Sequence, residues 1–120
     1  MRAFHETWGY LSIGANALAG VVMLVARKVG AIRKLAWVLV VGAQVAMLIQ
    51  VFLGVFLVTG SEFEPPRFHM FYGFVAFISV GLLYSYRYVW KARGQMELAY
   101  GLGGLFLMGL GIRAVLQVAG

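Results

Sequence analysis

Two histidines stand in this chain, and each opens the same short phrase: Phe4-His5-Glu6-Thr7-Trp8-Gly9-Tyr10 and Phe68-His69-Met70-Phe71-Tyr72-Gly73-Phe74. Imidazole is a ligand for metal ions and for haem iron. In both phrases a glycine follows the histidine by four positions, one helical turn on and on the same face. A flat macrocycle held by an axial imidazole could therefore lie against the backbone at Gly9 and at Gly73. If the two phrases start parallel helices, His5 and His69 sit at similar depth and could hold one b-type haem between them. A bare metal ion is less well served, because a zinc or copper site with two imidazoles alone is short of ligands. Glu6, Glu62 or Glu64 would have to complete it. The bland counterpart is a pair of helix-start histidines that donate to a carbonyl, a headgroup phosphate or a neighbouring glutamate.

Four other polar residues interrupt apolar runs. Arg113 sits near the end of the last apolar stretch, on the side opposite Gly104. An arginine at membrane depth calls for a named partner: Glu6, a carboxylate of the Glu62–Glu64 segment, or a haem propionate. Otherwise it snorkels to the headgroups. Asn16, Gln44 and Gln50 need hydrogen-bond partners inside a bundle or at a protein interface. Gln44 and Gln50 are six positions apart, roughly 120° around a helix, so one of them is expected to mark an external contact. Polar groups at several depths on one face are not seen, which argues against a channel or transporter. No nucleophile–base set, phosphate loop or metallohydrolase motif is present. Gly101-Leu102-Gly103-Gly104 lies inside an apolar run with no preceding strand, so it is not a nucleotide motif. Beyond the cofactor idea there is no active site, and the chain leans away from being an enzyme.

The elements that must position these residues follow from composition. Hydrophobic residues make up 62% of the 120 positions, charged residues 12%, and mean hydropathy is +0.89. Soluble domains carry about a quarter charged residues, so the chain belongs in a bilayer, where each crossing takes roughly 20 apolar residues. Four such stretches fit, at about 4–26, 32–58, 68–89 and 98–118. Nothing alternates as a membrane β-barrel would. Short connections make neighbours antiparallel, giving an all-α, integral membrane four-helix up-down bundle in one domain, 1–120. The repeated phrase suggests two tandem hairpins related by a pseudo-two-fold axis along the membrane normal. Small residues suited to close helix packing line Gly9, Ser12, Asn16 and Gly20, then Ala43, Ala46 and Gly54, then Gly101, Gly104, Met108 and Gly111.

The net charge of +6 is distributed as membrane topology requires, not as nucleic-acid binding does. Arg27, Lys28, Arg33, Lys34, Arg87, Lys91 and Arg93 flank the first and third connections, while only Arg2, Arg67 and Arg113 fall on the opposite side. By the positive-inside rule those two connections are cytoplasmic and face anionic headgroups, and both termini are extracytoplasmic. Trp8, Tyr10 and Tyr72 fall at the outer interface, and Trp37, Tyr84, Tyr86, Tyr88 and Trp90 at the inner one. The basic cluster follows the first stretch instead of preceding it, so this stretch is expected to be retained as a helix, not cleaved as a signal. The absence of cysteine excludes disulfides, iron–sulfur clusters and thiolate zinc sites.

In helix count and in the His-x-x-x-Gly spacing the chain is similar to four-helix membrane haem bundles such as cytochrome b561 and each half of haem A synthase. Those families place their histidines inside the helices and use more of them, so no family residue transfers. The chain as a whole, and Phe68-His69-Met70-Phe71-Tyr72-Gly73-Phe74-Val75 in particular, resembles small four-helix membrane proteins of actinobacteria, which implies a bacterial plasma membrane and supplies no mechanism. Length, small-residue stripes and stray glutamines together suggest an accessory or scaffolding subunit that meets other membrane subunits or its own copies. The alternative is a haem b electron-transfer module with His5 and His69 as axial ligands. These make opposite predictions about the histidines, and a separation above about 12 Å would exclude a shared iron.

Overall fold

A computed structural model describes residues 2–60 and 65–119. Among these the chain is helical throughout: α1 (Arg2–Ala26), a 3-10 turn (Gly30–Ile32), α2 (Arg33–Gly60), α3 (Arg67–Ser85), α4 (Arg87–Ala92) and α5 (Met96–Ala119). Four of these helices, α1, α2 with its preceding turn, α3 and α5, are long and apolar enough to cross a membrane. The expected bundle is what forms. One end carries the N-terminus of α1, the C-terminus of α5 and the histidines. At the other end lie Arg27, Lys28, Arg33, Lys34, Arg87, Lys91 and Arg93, all exposed.

One boundary differs in kind from the expectation. The stretch read as a single helix, 68–89, stops at Ser85, and Tyr86 takes φ −100° and ψ 12° before the short α4 begins. Aromatic and apolar residues run straight through this point, so periodicity gives no stop signal. The break turns the Arg87 side chain back, where it donates to the Tyr84 carbonyl at 3.4 Å and lies 4.7 Å from the centre of the Tyr88 ring. α4 ends in a glycine cap. Gly94 has φ +68°, Gln95 N–H donates to the Trp90 carbonyl at 2.8 Å and Gly94 N–H to that of Lys91 at 3.1 Å. A left-handed residue is needed to close that double bond, and glycine adopts it without strain.

Around the bundle the helices run α2, α1, α5, α3, with α1 diagonal to α3. The seams are unequal. α1 and α5 approach through glycine: a Cβ at Gly20 would lie 2.8 Å from the Gly101 carbonyl oxygen, and one at Gly104 would lie 3.0 Å from that of Asn16. Backbones this close gain dispersion contacts that larger residues forbid. α2 and α3, by contrast, touch least among neighbours, and the Phe52 and Phe77 rings meet edge to face there at 6.2 Å. The tandem hairpins are therefore not symmetric at their junctions.

The basic end closes around Tyr100, which is 1% exposed. Its hydroxyl donates to the Leu83 carbonyl at 2.8 Å, and Trp37, Tyr84 and Trp90 ring it edge-on at 4.9, 6.0 and 5.9 Å. Such geometry suits aromatic quadrupoles. Arg33 pairs with Glu97 at 2.8 Å, tying the start of α2 to the start of α5.

Candidate functional site: a histidine pair across the bundle

The two histidines meet. Their ring centres are 6.2 Å apart and their planes 76° from parallel, although they belong to the diagonal helices α1 and α3. Both rings are partly buried at the end of the bundle near the chain termini.

Each imidazole is held by the other helix of its own hairpin, 45 residues further on. His69 Nδ1 lies 2.7 Å from the Ala114 carbonyl oxygen of α5. A carbonyl only accepts, so Nδ1 carries a proton, and in the neutral ring Nε2 holds the lone pair. Such a bond to the second ring nitrogen is how ligating histidines are commonly oriented. On the other side, the Gln50 amide of α2 donates to the His5 main-chain carbonyl at 2.7 Å and lies 3.4 Å from His5 Nε2. The shared separation of 45 means that Gln50 and Ala114 stand at corresponding places. The phrase repeat is thus matched by a repeat of contacts.

The glycines of the two phrases do not do the same thing. The face of Gly9 is filled by Gln50, whose Nε2 would be 2.7 Å from an added Cβ. An added Cβ at Gly73 meets nothing within 4 Å. A third glycine, which the spacing argument did not select, contacts the site directly: Gly54 of α2 lies against His5, with an added Cβ 3.2 Å from Cε1 of the ring. Only the register between α1 and α2 places it there. Trp8, expected at the outer interface, turns its indole N–H onto the Ala46 carbonyl at 2.8 Å.

Both glutamines point into the bundle, which corrects the expectation that one marks an external contact. Gln44 is 1% exposed, and Gln50 is bonded to α1. Asn16, also 1% exposed, donates to the Ser12 and Ala43 carbonyls at 2.8 and 3.2 Å. Polar side chains at several depths do therefore share the interior, contrary to the pattern read from single helices. They stop near the middle of α1. Toward the basic end the core is Ala19, Met23, Ala26, Ala36 and Val40.

Glu6 and Arg113 are exposed, and neither has an ion-pair partner among the described residues. Arg113 does not join the histidines. Glu62 and Glu64 lie outside the described residues, and among the described ones no group of three or more His, Asp or Glu side chains could hold a metal ion.

The fold and its apolar helices define a small all-α membrane protein. Comparison with family models, with curated proteins and with solved structures finds no match.

Proposed function

We propose that this membrane protein binds one b-type haem between His5 and His69 and serves as an electron-transfer module. The observation that carries the proposal is the 6.2 Å between the ring centres. Two imidazoles bonded to one metal through bonds of about 2 Å have their ring centres roughly 6 Å apart. The number of ligands favours haem over a bare ion. A porphyrin brings four nitrogens of its own and asks the protein for two, whereas a bare zinc or copper site would still lack ligands among the described residues. A flat group has one natural way in. The α2–α3 seam is the loose one, and Gly73 on its α3 side leaves open space.

Haem supplies the reversible one-electron change at iron. His5 and His69 would hold it, with the Ala114 carbonyl orienting one ring and the Gln50 amide and the Gly54 notch seating the other. The charge pattern supports a reading, under the positive-inside rule, in which the basic end faces the cytoplasm and anionic headgroups and the histidine pair lies toward the opposite face of a bacterial plasma membrane.

Two features behind the accessory-subunit reading are accounted for inside the bundle. Gly20, Gly101, Gly104 and Gly111 are spent on packing inside the bundle, the last against Ile13, and the glutamines face inward. It stands as the outcome if the chain carries no pigment. The experiment is titration of haemin into purified, haem-depleted protein in mild detergent. One equivalent should bind to the wild type and to Glu6→Gln, and neither His5→Ala nor His69→Ala should saturate. Equal binding by both histidine variants would overturn the proposal.

A further inference from the structure

Deeper in the bundle than the histidine pair lies a second cluster, which haem ligation does not use. Ser12, Asn16 and Gln44 are each 1% exposed. The bond from Asn16 to the carbonyl of Ala43, the residue before Gln44, and that from Asn16 to the Ser12 carbonyl, set the three residues within about one turn of each other along the bundle. Ser12 Oγ, Asn16 Oδ1 and both Oε1 and Nε2 of Gln44 have no hydrogen-bond partner among the described residues. The Asn16 orientation is fixed, because its nitrogen already donates to two carbonyls.

Burying one such group without a partner costs about 1–3 kcal/mol on protein scales and more in hydrocarbon. An apolar side chain at any of the three positions would avoid it. Four buried atoms without partners among the described residues, on residues at neighbouring levels of a membrane bundle, call for a small guest, and their types select it. Asn16 Oδ1 and Gln44 Oε1 need donors, Gln44 Nε2 needs an acceptor, and Ser12 Oγ takes either role. An anion, or a carbonyl compound that only accepts, leaves the two amide oxygens bare. A metal cation leaves the Gln44 nitrogen bare and finds no charge to balance it. Water donates two hydrogen bonds and accepts two, and a buried water typically makes about three.

We infer that Ser12, Asn16 and Gln44 form a resident water site, holding one or two ordered molecules near the middle of the bundle. Toward the basic end the buried residues of α1 and α2 are the apolar Ala19, Met23 and Val40. On the histidine side, His5 Nδ1 and Gln50 Oε1 are likewise buried without partners among the described residues. The outer half of the interior is thus wet and the inner half dry. The inference goes beyond haem binding and does not depend on it.

The test is water-to-protein polarisation transfer in solid-state NMR, on the full chain in phospholipid bilayers, read at the side-chain nitrogens of Gln44 and Asn16. Gln117, exposed near the end of α5, is the positive control. Transfer from water to both buried amides is expected, with weakened transfer at Asn16 and a lower Tm in Gln44→Met. No transfer to either buried amide in the wild type, together with a higher Tm in Gln44→Met, would overturn the inference. That is how a dry core responds when an unpaired amide is removed from it.

Discussion

Gly54 of α2 lies against the imidazole of His5 on α1: a Cβ added there would stand 3.2 Å from Cε1 of the ring. Together with the Gln50 bond to the His5 carbonyl, this fixes where the first ring sits relative to the second. Gly54→Ala must push the ring or the helix by a few tenths of an ångström. It should lower stability by about 1 kcal/mol and haemin affinity roughly tenfold, both measurable in one detergent preparation. Gly73→Ala, with open space around it, should change stability little.

Gln50→Leu should act through His5 without touching iron. It removes the donor to the His5 carbonyl at 2.7 Å, a net loss of about 1 kcal/mol. The expected signature is a changed midpoint potential and a weakened but surviving haem complex, read by redox titration. Abolished binding would mean that Gln50 has a larger part than seating the ring.

Among the glycines of α1 and α5, those set against backbone and those set against nothing are the two extremes. Gly104→Ala drives a methyl against the backbone of Asn16 and Gly20, at 3.0 Å from each, where no side chain can swing aside. A loss of about 2–3 kcal/mol is expected. Gly14→Ala and Gly109→Ala meet nothing within 4 Å and should be neutral or stabilising by up to about 1 kcal/mol through helix propensity. Thermal unfolding by circular dichroism separates the groups.

At the basic end, Tyr100→Phe loses the hydroxyl bond to the Leu83 carbonyl, about 1 kcal/mol, while Tyr100→Ala empties the centre of the aromatic ring set and should cost about 3–5 kcal/mol. Arg33→Gln should cost under about 1 kcal/mol, because the Arg33 side chain is 53% exposed. Neither Tyr100→Phe nor Arg33→Gln should alter haem binding, since both act at the far end of the bundle.

Much of this architecture was legible residue by residue. Apolar runs broken by Arg27–Lys28 and by Lys91–Arg93 announce the crossings, because charge is excluded from hydrocarbon whatever the tertiary fold. Gly101 and Gly104 announced a close approach, because in lipid small residues at that spacing have few other uses. The break at Tyr86 was hidden, since its cause is local backbone geometry inside an unbroken aromatic run. Tyr100 was hidden too: a tyrosine near a helix start reads as an interface residue until the neighbouring helices surround it. At the candidate site, the histidines were visible as a repeat, but Gly54, the inward turn of both glutamines and the Gln44 cluster depend on the register of α2 against α1. No single-helix pattern encodes that register.

The ring planes offer an independent check on geometry. At 76° apart, two axial imidazoles near perpendicular should give the oxidised protein a low-spin signal with one strongly displaced g-value in low-temperature electron paramagnetic resonance. A signal of the near-parallel type would mean that the rings rotate when iron binds.

The central claim meets its most direct test in a visible spectrum of the protein purified in mild detergent from membranes of haem-replete cells, oxidised and then reduced with dithionite. The account predicts a Soret band with sharp α and β peaks on reduction, absent from His5→Ala and from His69→Ala. A featureless spectrum from folded wild-type protein, or peaks that survive in both variants, would contradict it.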